Sequence, residues 1–168
     1  MSNRISMGDK MPEGAFGTMT DNGPGLITTE EVFKDKEVVL FSVPGAFTGT
    51  CHLKHMPSFV TGGHLLYEAG IDTIACIAVN DLFVLDAWAK AQSKDHSILM
   101  LADGNADYVS RLGLESDERK WGMGFRGQRF SMLISNGVIQ ALNIDDAGEF
   151  EKTSCDFMLE QINTHRHR

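Results

Sequence analysis

The segment Pro44-Gly45-Ala46-Phe47-Thr48-Gly49-Thr50-Cys51-His52-Leu53-Lys54-His55 concentrates a thiol, hydroxyls and imidazoles where an apolar strand pattern stops and a helical pattern begins. That junction sets Cys51 in a first helical turn, among unpartnered backbone N–H groups and at the positive end of the helix dipole. Both favour thiolate over thiol, and the thiolate is the attacking form. By position alone, a cysteine here serves equally well as a small buried residue at a tight turn. His52 and His55 add a cysteine–histidine pair and a metal site as options. Cys51 and His55 share a helix face. A general base is unnecessary if the helix terminus and a cation already lower the thiol pKa, and on that condition His55 is read as structural or orienting.

Two further thiols, Cys76 and Cys155, lie far along the chain, and there is no C-x-x-C. An odd count with wide spacing fits a reducing compartment better than a disulfide framework. It also argues against a general thiol–disulfide oxidoreductase of the dithiol type. Cys76 falls in the apolar run 72–79, where a buried, inert thiol is common. Arg126 and Arg129 are the cations next to the strand that begins at Phe130.

Pro44, Thr48 and Cys51 together match the P-x-x-x-T-x-x-C signature of the peroxiredoxins. The longer run Val-Pro-Gly-Ala-Phe-Thr-x-Thr-Cys, with His55 and Pro57 downstream, resembles the type II, peroxiredoxin-5-like branch of these thioredoxin-like proteins. So do the stretch from Cys76 to Val84, Ala87-Trp88, and Arg129-Phe130-Ser131-Met132 followed by Asn136-Gly137 and Ala141-Leu142-Asn143. The resemblance covers nearly the whole chain in order. It implies a thiol-dependent peroxidase for hydrogen peroxide and alkyl hydroperoxides, working through a Cys51 sulfenic acid and needing no metal or organic cofactor.

The resemblance also distributes roles. Cys51 matches the peroxidatic cysteine, Pro44 the proline that shields its sulfur, and Thr48 the threonine whose hydroxyl orients the peroxide. Arg129 matches the arginine beside the thiolate, which Arg126 does not by its offset. Thr48, Thr50 and Arg129 would bind substrate. These types suit the reaction: O–O cleavage builds negative charge on the departing oxygen, which a fixed guanidinium and backbone N–H groups can meet. Cys76 matches the resolving cysteine of plant type II enzymes, the open alternative being glutathione, glutaredoxin or thioredoxin acting from outside. Cys155 is read as structural. Gly49 replaces a usual proline and should loosen the loop, and Ser58 replaces a usual glycine with little expected effect.

The elements around these residues read as α/β. Residues 37–43, 72–79 and 97–101 are near-continuous apolar strands, and helical patterns cover about 49–69, with a bend near Pro57 and Ser58, and 105–112. Asn80 and Asp81 can cap a helix carrying Phe83, Val84, Ala87 and Trp88 inward. Thr28 and Glu31 form a possible capping box, and residues before 26 suggest loops and a short hairpin. Strands 130–135 and 138–144 flank Asn136-Gly137, a strong hairpin signal, and a helix over 154–163 follows. This order implies a thioredoxin-like three-layer sandwich with a mixed sheet, one redoxin domain over 1–168, and a frayed tail over 164–168.

The chain's 15 Lys and Arg against 23 Asp and Glu give a net charge of −8. That argues against nucleic-acid binding. No apolar run is long enough to span a bilayer. The N-terminus resembles neither a secretory signal nor a presequence, so a cytoplasmic enzyme is expected, or an organellar one whose presequence has been removed. The resemblance suggests a homodimer meeting near the active-site loops at Phe47 or Phe83. The alternative class is a peroxide-sensing or chaperone-like redox protein without substantial turnover. Thr48 and Arg129 favour catalysis, because a sensor has no need of donors for a departing oxygen.

Overall fold

A computed structural model describes residues 3–93, 95 and 97–166. The chain opens with the hairpin β1 (Ala15–Thr20) and β2 (Gly23–Thr28), then α1 (Thr29–Phe33) and β3 (Glu37–Ser42). The Thr28–Glu31 capping box is present in both directions and starts α1. A π-helical turn over Cys51–His55 runs into α2 (Met56–Glu68), followed by β4 (Thr73–Ala78), α3 (Leu82–Gln92), β5 (Ile98–Ala102) and α4 (Asp107–Arg111). The chain continues with β6 (Glu115–Asp117), β7 (Phe125–Gly127), β8 (Arg129–Ser135), β9 (Val138–Asp145) and α5 (Cys155–Arg166).

Seven strands form one sheet in the order β2-β1-β5-β4-β3-β8-β9, with β3, β4 and β5 parallel and the remaining pairings antiparallel. Parallel central strands must be covered on both faces, which explains their continuous apolar runs. Alternation sends Val39 and Phe41 to one face, against Phe59 of α2, Trp88 of α3 and Met158 of α5. Val38 and Leu40 face the other way, against Val32 of α1 and Tyr108 of α4. The result is the expected thioredoxin-like α/β sandwich with a mixed central sheet.

Several expectations shift. The inward stripe of α3 is Leu85 and Trp88, with Val84 partly buried; Phe83 and Ala87 point outward. Asp81 supplies the cap, accepting from the Val84 N–H. The irregularity in the long helix precedes Pro57 and occupies 51–55. Pro57 lacks the N–H that would close on Leu53, and the Met56 N–H reaches back to the Cys51 carbonyl instead. The Gly-rich stretch after 121 contributes β7 to a small hairpin with β6, which shows no apolar alternation to announce it. α5 continues through Arg166, so the tail expected to fray from 164 is helical that far, and 167–168 lie outside the described residues.

Candidate active site

One register and the alternation of one strand bring the chemistry together. β3 and β8 are antiparallel with Ser42 opposite Phe130, so Arg129 at the start of β8 stands beside the loop that leaves β3. Arg129 is also two residues before Ser131 and four before Leu133, which packs on the face covered by α2. Strand alternation therefore aims the guanidinium at the turn that carries Cys51. Its Nη2 donates to the Cys51 sulfur at 3.2 Å. Cys51 is 2% exposed and Arg129 9%, so the contact is shielded from water. In such surroundings the charge of a guanidinium acts at greater strength than at a wet surface.

The main chain of the loop 43–50 is held by side chains, with the Ala46 N–H donating to Asn80 Oδ1 at 3.0 Å. Thr48 donates its hydroxyl hydrogen to the Gly45 carbonyl at 2.7 Å, leaving the oxygen lone pairs free to accept. The Thr48 carbonyl accepts from the His52 N–H, which leads the chain into the π turn. Phe47 adopts a left-handed φ of 63°, an uncommon state for an aromatic residue and one the surrounding contacts must maintain. Thr50 occupies the cap position, yet its side chain makes no capping bond. An added Cβ at Gly49 would meet nothing within 4 Å, so the glycine is not required by crowding. Arg126 acts differently from Arg129, since its Nε donates to Met123 O and its Nη1 reaches Pro44 O, bracing the loop. A pocket of about 490 Å³, lined by Pro44, Trp121, Gln128, Arg129 and Asp145 among others, opens beside the pair.

Behind Arg129 stands His55. Arg129 Nη1 donates to His55 Nδ1 at 2.8 Å, and His55 Nε2 lies 2.8 Å from the Thr153 carbonyl. The carbonyl only accepts and the guanidinium only donates, so the imidazole is neutral with its proton on Nε2. Burial first, and the Arg129 charge second, hold the His55 pKa down at about 3. Asp145 accepts from the Glu151 and Lys152 N–H groups and from the Thr153 hydroxyl. Burial works against its ionisation, but these hydrogen bonds outweigh it and keep the carboxyl below its ordinary range. Ser58 ties two helices together, because it donates to the His55 carbonyl and accepts from the Cys155 N–H, joining α2 to α5.

A pH dependence follows. Between about 3 and the ordinary 6.5, the unfolded chain protonates its histidine at this position and the folded chain does not. Stability therefore falls as pH drops through that window. Thermal melts at stepped pH values should show this decline, with a shallower slope in His55→Gln; equal slopes would contradict the assignment of the effect to His55.

The remaining thiols sit elsewhere. Cys76 lies mid-β4, opposite Phe41 and Met100 and wholly buried. Burial, and then the nearby Cys51 charge, push its pKa well above the ordinary value. Cys155 packs at Gly62 of α2, its pKa raised to about 12 by burial and by Asp156. Pro44, Thr48, Thr50, Cys51 and Arg129 thus share one end of the sheet, whereas Cys76 is inside it. The roles of His55, Thr153 and Asp145 rest largely on a backbone carbonyl and backbone N–H groups, which leave no side-chain signature to read. Only the four-residue spacing of His55 from Cys51 pointed that way. His52, by contrast, turns from the sulfur and accepts from the Trp88 indole N–H.

The redoxin family pattern matches residues 6–157. Peroxiredoxin-2E, chloroplastic, of Arabidopsis thaliana is 38% identical over 162 residues, covering 94% of this chain and 69% of that protein. Peroxiredoxin-2D of the same plant is 36% identical over 159 residues, covering 94% and 98%. Among solved structures, reduced Prx3 in complex with hydrogen peroxide from Vibrio vulnificus superposes with a TM-score of 0.90 at 40% identity, covering 94% of this chain and 99% of that one. Fold, order of motifs and extent of identity agree: the chain belongs to the redoxin family, among its type II peroxiredoxins.

Proposed function

We propose that the protein reduces hydrogen peroxide and small organic hydroperoxides with Cys51 as the attacking sulfur. The contact between Arg129 Nη2 and Cys51 Sγ at 3.2 Å carries this reading, because it places a buried cation where the nucleophile must be negative. The Cys51 thiolate gives an electron pair to the near peroxide oxygen and the O–O bond breaks. Sulfur becomes the sulfenic acid, and the far oxygen leaves as hydroxide or alkoxide and takes a proton from solvent. Thr48 Oγ1, already donating to Gly45, is left as an acceptor for the peroxide O–H. The backbone N–H groups near Thr50 and Cys51 add donors to the peroxide. Pro44 shields the sulfur. The bound hydrogen peroxide named for the Vibrio relative is in keeping with this substrate class.

For the return step, an external thiol is favoured over Cys76. Cys76 is wholly buried in a central strand with its pKa raised, and a disulfide would require its Cα to come within about 7 Å of that of Cys51. Glutathione, or the dithiol of a glutaredoxin or thioredoxin, attacks the sulfenic sulfur, releases water and forms a mixed disulfide. A second thiol then returns Cys51 to the reduced state. Cys76→Ala should consequently keep turnover with glutathione and glutaredoxin at the wild-type rate, read by coupled NADPH oxidation. Loss of turnover in a folded Cys76→Ala protein would restore the two-cysteine cycle. The protein is further read as a cytoplasmic homodimer, with exposed Phe47 and Phe83 at the contact.

A further inference from the structure

Arg129 is nine-tenths buried, yet among the described residues no carboxylate lies within ion-pair distance of it. Buried guanidinium groups ordinarily take an acidic partner. One is at hand, since Asp145 stands directly across the β8–β9 pair from Arg129. Its oxygens are instead occupied by the Glu151 and Lys152 N–H groups and the Thr153 hydroxyl. The same loop presents the Thr153 carbonyl to His55 Nε2, which leaves Nδ1 as the acceptor for Arg129. The imidazole ring is confined by Phe41, Phe59 and Phe150, with ring centroids 5.1 to 5.8 Å away. The charged or titratable groups around it are Arg129, Asp145 and, on its own helix, Cys51.

A carboxylate against Arg129 would orient it but would also offset the charge that the sulfur and the departing oxygen need. A neutral imidazole orients it without that loss. We propose that His55 is a positioning residue that holds the Arg129 guanidinium against Cys51 without neutralising it. Asp145 enforces this by confining its own charge to the 151–153 loop and, through the Thr153 carbonyl, placing the imidazole proton on Nε2.

The proposal rests on Cys51 as the reacting atom, and a mutant cycle separates the two. The second-order rate of Cys51 oxidation by hydrogen peroxide is measured by stopped flow in single turnover, without reductant, for His55→Phe, Arg129→Met and the double variant. His55→Phe should slow oxidation roughly 10- to 100-fold, the loss typical of an outer partner that orients a reactive group. In the Arg129→Met background it should add nothing, because His55 acts through Arg129. His55→Gln, which keeps a neutral acceptor, should recover part of the rate. Independent, multiplying losses in the cycle would overturn the proposal and leave the peroxidase reading standing. No loss in Arg129→Met would instead overturn the peroxidase role given to Arg129. If His55→Phe fails to fold, Asp145→Asn takes its place in the cycle with the same two outcomes. Nitrogen-15 NMR of the unaltered protein should report His55 as the neutral tautomer protonated at Nε2; an imidazolium or a proton on Nδ1 at neutral pH would also overturn it.

Discussion

Replacing Cys51 with serine is expected to reduce peroxide consumption to the level of buffer while leaving the fold intact. Serine is nearly isosteric, so the π turn and the packing of the site survive. Its hydroxyl stays protonated and is a far weaker nucleophile than a thiolate. Neither remaining cysteine can substitute: Cys76 is wholly buried in β4, and Cys155 is buried against α2 with its pKa raised to about 12. Peroxide loss followed in the presence of excess thiol, alongside circular dichroism, checks the expectation. A folded Cys51→Ser protein that still consumed peroxide with thiol would show that the reaction lies elsewhere.

The second large effect concerns Arg129. Removing one preorganised donor to developing negative charge in a buried site typically costs about 10²- to 10³-fold in rate, and Arg129→Met should fall in that range. Arg129→Lys should recover only part of it. The guanidinium makes two directed bonds at once, Nη2 to Cys51 and Nη1 to His55. A lysine ammonium is a single point with no such fork, so it keeps the charge but loses one of the two contacts. The measurement is again the single-turnover oxidation rate, with thermal melting to confirm folding. Equal rates for arginine and lysine would mean that charge alone matters and that the two-pronged geometry is incidental. Arg126→Met offers a contrast. It braces the Pro44 carbonyl and makes no bond to the sulfur, so its effect should be smaller.

How the site was legible in sequence is best seen in particular residues. The meeting of a buried strand, a Pro-Gly stop and a helical pattern left Cys51 evenly divided between a nucleophile and a small buried residue, and its match with Pro44 and Thr48 to P-x-x-x-T-x-x-C singled it out. Asn136-Gly137 predicted its hairpin because both residues tolerate left-handed backbone, and their φ values are 45° and 78°. Arg129 was separable from Arg126 only by its offset from the strand that follows, and the β3–β8 register gives that offset its meaning. The π turn was not legible, since it arises from Pro57 refusing a hydrogen bond several residues away. Phe83 and Ala87 were misplaced because a short helix with apolar residues on more than one side does not state which side meets the sheet. Thr153 and Asp145 were invisible because their influence passes through main-chain groups. Ser58, standing where the resembling branch usually has glycine, carries little expected effect, yet it bonds the His55 carbonyl and the Cys155 N–H.

The central claim is that peroxide oxidises Cys51 directly. It is tested by mixing the reduced protein with one equivalent of hydrogen peroxide, without reductant, trapping sulfenic acid with a dimedone-type reagent and mapping the adduct by peptide mass spectrometry. The expected result is a trapped sulfenic acid on Cys51, with Cys76 and Cys155 left as free thiols. Persistence of peroxide with Cys51 still reduced, or an adduct confined to another residue, would contradict it.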